Sequence, residues 1–132
     1  MENNSVRFTP VLKAGIIAGF FGVGLNNLWS LLAAAFGATI PPAFAIAVTL
    51  SSLLPVIVAS LIYFVLARFT AKGTLIFTVL GTGFLLFSFV PIFSTTQLPD
   101  GTAVDDTFPL LVAPMHVISG ALALYGIPKW SR

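Results

Sequence analysis

The side chains that could do chemistry in this sequence stand inside its apolar runs: Asn26 and Asn27, Ser51 and Ser52, and the single histidine, His116. An imidazole can ligate a haem- or chlorophyll-type metal or hydrogen-bond a quinone oxygen. An ionisable residue in an apolar span is by default a functional candidate. Amides and hydroxyls at the same depth would orient such a ligand, so the expected ligand-binding set is His116, Asn26, Asn27, Ser51 and Ser52. Thr82 and Ser88 bracket the same level on a further segment. The same residues have a plainer use, because an unpaired polar group in hydrocarbon costs several kcal/mol and hydrogen bonds between helices set their register. A third use is to line a permeation path built from several copies. All three readings stay open at this point.

Much other chemistry is excluded. The chain has no cysteine, which removes disulfides, thiolate metal sites and cysteine nucleophiles together. One histidine cannot make a His-rich metal site, so no metal is expected. His116 also lacks an orienting carboxylate within its span: Asp100, Asp105 and Asp106 share one polar segment and Glu2 stands near the start. No catalytic residue is therefore assigned, and the protein is not expected to be an enzyme. Asp105-Asp106 reads as solvated loop charge rather than a cation site. The six basic residues are scattered over three segments and make no nucleic-acid footprint.

The elements that must position these groups follow from composition. Of 132 residues 58% are hydrophobic and only 8% charged, so lipid has to be the solvent for most of the exterior. No charge occurs from Ala14 to Ala67, a stretch too long for one span of about 20 residues. Gly37 and the Pro41-Pro42 pair divide it, which predicts helix 1 over residues 11–36 and helix 2 over 41–68. Helix 3 is expected over 73–93, a polar loop over 94–107, and helix 4 over 108–127. The result is an all-α polytopic membrane protein, a single bundle of four transmembrane helices. A barrel would need shorter, alternating segments, and a cleaved signal peptide would have an apolar region of about 7–15 residues, shorter than this first span.

Arg7 and Lys13 precede helix 1, Arg68 and Lys72 join helices 2 and 3, and Lys129 and Arg132 follow helix 4. All six fall on one side of an up-down bundle, which predicts a cytoplasmic membrane with both termini in the cytoplasm. On that side the Asn3-Asn4-Ser5 sequon would not be glycosylated. Packing is expected from small residues. In helix 1, Gly15, Ala18, Gly19, Gly22, Asn26, Trp29, Ser30 and Ala33 recur every three or four residues, and helix 4 repeats the pattern with Ala113, His116, Gly120 and Ala123. Gly15, Gly19, Gly22 and Gly120 are the expected close-approach positions, against one another or against another subunit. Pro55, Pro91 and Pro114 would each release the carbonyl four residues earlier, at Ser51, Phe87 and Leu110, and each needs a donor.

The basic start, the Gly/Ala-rich first helix with Asn26-Asn27 and Trp29, the Ser88-Phe89-Val90-Pro91 segment, and Met115-His116 followed by small residues together resemble a family of small bacterial four-helix membrane proteins grouped as a domain of unknown function. The resemblance spans helices 1 to 4. It implies an inner-membrane four-helix protein and brings no activity with it. The leading expectation is a non-enzymatic structural or accessory subunit, or a homo-oligomer, with the lipid bilayer as its main partner. The alternatives are a carrier of a lipophilic ligand such as a quinone, haem or chlorophyll-type cofactor, and a small channel or transporter.

Overall fold

Gly37 stops the first helix by taking the left-handed backbone (φ 93°) that residues with a Cβ rarely adopt. The Ala38 N–H reaches back to the Ala33 carbonyl at 2.9 Å and the Gly37 N–H to Ala34 at 3.0 Å, so two orphan carbonyls are satisfied. In this computed structural model, which describes residues 6–132, the helix so ended is α1, Phe8–Ala35. It begins before the expected residue 11 because Pro10 falls in its first turn, where a missing N–H costs nothing. The Asn3-Asn4-Ser5 sequon lies outside the described residues.

The second helix, α2, is Phe44–Phe69 rather than 41–68. Proline disfavours helical backbone in the residue before it, so Pro42 keeps Pro41 out of the helix, and the chain turns through Ala43 at φ 57° before the helix opens. At its far end Thr70 donates both its N–H and its hydroxyl to the Leu66 carbonyl, at 3.0 and 2.6 Å. The chain then enters α3, Gly73–Ser94, at once. A Cβ on Gly73 would collide with the Leu66 backbone, so only glycine fits this turn.

The fourth span is longer and less regular than expected. It runs as α4 (Phe108–Ala121), a π-helical turn (Leu122–Gly126), and α5 (Ile127–Trp130). Pro128 cannot donate to the helix ladder, and the wide turn before it has the Ile127 N–H bonded five residues back, to Leu122. That register leaves Gly126, Ile127 and Pro128 all buried in succession.

Each helix packs on its neighbours in sequence and the fourth span closes the ring against α1, giving an up-down four-helix bundle. Two apolar clusters fill it. Val11, Ala18, Val56, Tyr63, Phe77 and Ile127 form one at the end that carries the basic residues, with the Tyr63 and Phe77 rings edge to face at 5.1 Å. Ala33, Ala38, Phe44, Val48, Leu111 and Met115 form the other. All four spans are long and apolar enough to cross a membrane. Large apolar side chains cover the outside, among them Phe20, Phe84 and Phe87, which fits hydrocarbon as the solvent. α3 buries only Gly73, Phe77 and Ile92 and is the helix least held by its neighbours.

Candidate functional site

Between the two apolar clusters stands Asn26, 2% exposed. Its Nδ2 donates to Ser52 Oγ of α2 at 2.8 Å and to Ser119 Oγ of α4 at 2.9 Å, so one amide group joins three helices. Its Oδ1 is the buried side-chain polar atom that has no partner among the described residues. Rotating the amide by half a turn would let the oxygen accept from both serine hydroxyls, but the NH2 would then stand unpaired. Two hydroxyls can satisfy only half of this amide.

Glycines let the backbones come this close. A Cβ on Gly15 would run into Ser60, and one on Gly19 would stand 2.7 Å from the Leu53 side chain. At Gly22, one turn before Asn26, it would have ordinary contact with Ser52 and Leu122, 3.5–3.7 Å away. The α1 stripe thus faces mainly α2 within the same chain, whereas Gly120 of the α4 stripe packs under Leu85 of α3. The two stripes do not make one shared seam.

The expected ligand-binding set divides. Asn26 and Ser52 are brought together; Asn27, Ser51 and His116 are not joined to them by hydrogen bonds. Asn27 Nδ2 bonds back to the Val23 carbonyl at 2.8 Å and lies 3.4 Å from Thr49 Oγ1. Ser51 is exposed and bonds its own helix at Val48. His116 is half-buried, its ring 6.1 Å from that of Phe89 on α3, with Nδ1 3.1 Å from the Val112 carbonyl. A carbonyl oxygen only accepts, so this contact is made by a proton on Nδ1. From α3, Thr82 is exposed and Ser88 bonds the Leu85 carbonyl, so the polar layer joins three helices instead of four.

Two participants were not in the expected set. Ser119, at the edge of the helix 4 stripe, completes the Asn26 cluster. Trp29, one turn beyond Asn26, donates its indole N–H to the Leu110 and Leu111 carbonyls at 3.3 and 3.1 Å. Leu110 is the carbonyl that Pro114 releases, so the donor this proline demands comes from α1.

Outside the spans, Asp105 ties the two loops of the acidic end together. It accepts from the Thr107 hydroxyl at 2.6 Å, the Thr39 hydroxyl at 2.5 Å and the Thr107 N–H at 2.9 Å. These bonds, the Thr107 hydroxyl foremost, hold its carboxyl below the usual aspartate range. Asp100 is lowered likewise, by the Thr102 N–H it accepts across a turn. No protein family, curated protein or solved structure matches the chain.

Proposed function

We propose that the chain is a non-enzymatic integral protein of a bacterial cytoplasmic membrane, a structural or accessory subunit that assembles with itself or within a larger membrane complex. The observation that carries this reading is the Asn26 amide shared between Ser52 and Ser119. It spends the best-placed polar side chains on one another, as an interhelical tie does, and it leaves both hydroxyls without a base to activate them. Gly15, Gly19 and Gly22 of α1 are likewise used inside the chain, so contact with a second chain falls on other surfaces. The basic residues at one end support an orientation with that end in the cytoplasm. The resemblance to small bacterial four-helix proteins agrees with it.

A second reading rests on His116. With Nδ1–H engaged by Val112, the Nε2 lone pair is the atom offered to a metal of haem or chlorophyll type, or to a quinol hydroxyl. One experiment separates the two. Native mass spectrometry of the protein released gently from its own membrane is expected to give protein assemblies without a stoichiometric non-lipid adduct. A chromophore or quinone retained by the parent and lost from His116→Ala would overturn the structural reading in favour of a ligand carrier.

A further inference from the structure

At the basic end, where α3 begins and the fourth span finishes, the surface holds a cavity of about 250 Å³. Thr74 and Thr78 line it from α3, and Tyr125, Lys129 and Arg132 from the other side. Lys129 and Arg132 are three residues apart and like in charge, and neither forms an ion pair with an acid among the described residues. The aspartates are at the opposite end of the bundle. The first turn of α3 adds the positive end of its dipole. Thr74 Oγ1 lies 3.4 Å from the Tyr63 hydroxyl, which can donate to it and leave the threonine proton free for an anion.

The π-helical turn supplies the outer wall. Within it Leu124 lies against Gly81 of α3 while Tyr125 is 79% exposed at the cavity's edge. From Tyr125 toward the middle of the bundle, Ala121 and Val117 follow in helical steps, and both are exposed and apolar. A polar cavity with two basic side chains in its lining therefore has exposed apolar residues of the same span on the side toward the middle of the bundle. That sequence of chemistries matches an amphiphile with an anionic head.

We propose that this cavity binds the phosphate of an anionic membrane phospholipid, whose charge Lys129 and Arg132 neutralise and whose acyl chain lies along Ala121 and Val117. A free phosphate offers the same head chemistry without the chain. The lipid is favoured by these apolar residues.

The test uses the full chain in nanodiscs of phosphatidylcholine mixed with phosphatidylglycerol, released and weighed by native mass spectrometry. One phosphatidylglycerol per chain is expected to be retained in preference to phosphatidylcholine. Lys129→Gln/Arg132→Gln is expected to lower that retention roughly 30-fold, from the usual attraction of two basic residues to anionic lipid. Arg7→Gln/Lys13→Gln, an equal loss of charge at the same end from residues that do not line the cavity, is expected to leave it near the parent value. Ala121→Trp, which obstructs the acyl-chain path without altering charge, is expected to lower it too. Equal loss in both charge variants would reduce the effect to general surface attraction and overturn the site. Unchanged retention in Lys129→Gln/Arg132→Gln would overturn it as well. Displacement of the lipid by inorganic phosphate, with Ala121→Trp silent, would assign the cavity to a soluble phosphate instead.

Discussion

The indole N–H of Trp29 is aimed at the carbonyl of Leu110, 3.3 Å away, the acceptor that Pro114 strips of its helical donor. It shares the same proton with the neighbouring Leu111 carbonyl at 3.1 Å. A proline defect in one helix is thus repaired by a side chain of another. Trp29→Phe is expected to lower stability in detergent by about 0.5–1.5 kcal/mol, the net worth of such a bond. In a Pro114→Ala background Leu110 regains a backbone donor, and the same substitution is expected to cost less. Equal costs in the two backgrounds, read from unfolding curves, would disconnect Trp29 from the proline.

The Asn26 cluster predicts coupling. Ser52→Ala and Ser119→Ala each remove one acceptor of the same amide, and each is expected to cost roughly 0.6 kcal/mol, with an upper bound near 1.7. In a double-mutant cycle with Asn26→Leu these costs are expected to vanish, because leucine has nothing left to donate. Costs that simply add would mean that the serines act by packing alone.

The glycines are not equivalent. Gly15→Ala is expected to be destabilising by about 1–3 kcal/mol, since its methyl group would meet Ser60 on a helix that cannot yield locally. Gly73→Ala is expected to be worse, because the obstacle there is the backbone of Leu66. Gly24 has nothing within 4 Å of its Cβ position, and Gly24→Ala is expected to be neutral or to gain up to about 1 kcal/mol of helix propensity. Thermal melts of the three variants check the ranking.

Asp105 gives the loops a pH dependence of definite sign. Its carboxyl titrates below the ordinary aspartate value in the folded state, so its bonds stabilise the loop tie above about pH 4 and are lost as pH falls through the lowered value. Hydrogen exchange of the 95–107 segment is expected to speed up over that acid interval. Asp105→Asn should exchange faster already at neutral pH and lose the acid step. A parent segment whose exchange shows no such step would remove Asp105 from this role.

The number of spans and the division of the first two were legible because a charge-free run and a proline pair leave few alternatives. Asn26 and Ser52 were legible by type and depth. Choosing Ser52 over Ser51 requires the phase of α2, since adjacent residues point about 100° apart. The buried series Val48, Ser52, Val56 and Ser60, spaced by four, carries that phase. It is hard to see in a span that is apolar on every side, because in lipid large apolar residues do not mark the inside. His116 was legible as an imidazole in a span, but not its bond to Val112, a carbonyl one turn away that competes with any partner on another helix. The π-helical turn had only Pro128 as its signal, and proline more often marks a kink or an end.

Two of the donors of α1 find their acceptors late. Asn26 and Trp29 are synthesised long before Ser119, Leu110 and Leu111, which arrive with the fourth span. During synthesis the Asn26 amide can therefore meet Ser52 once α2 exists, whereas the acceptors of the Trp29 indole come only with the fourth span. With α1 and α2 making the most extensive pairing of the bundle, the order of synthesis leaves the Trp29 indole and one of the two Asn26 bonds without an acceptor until the fourth span is present.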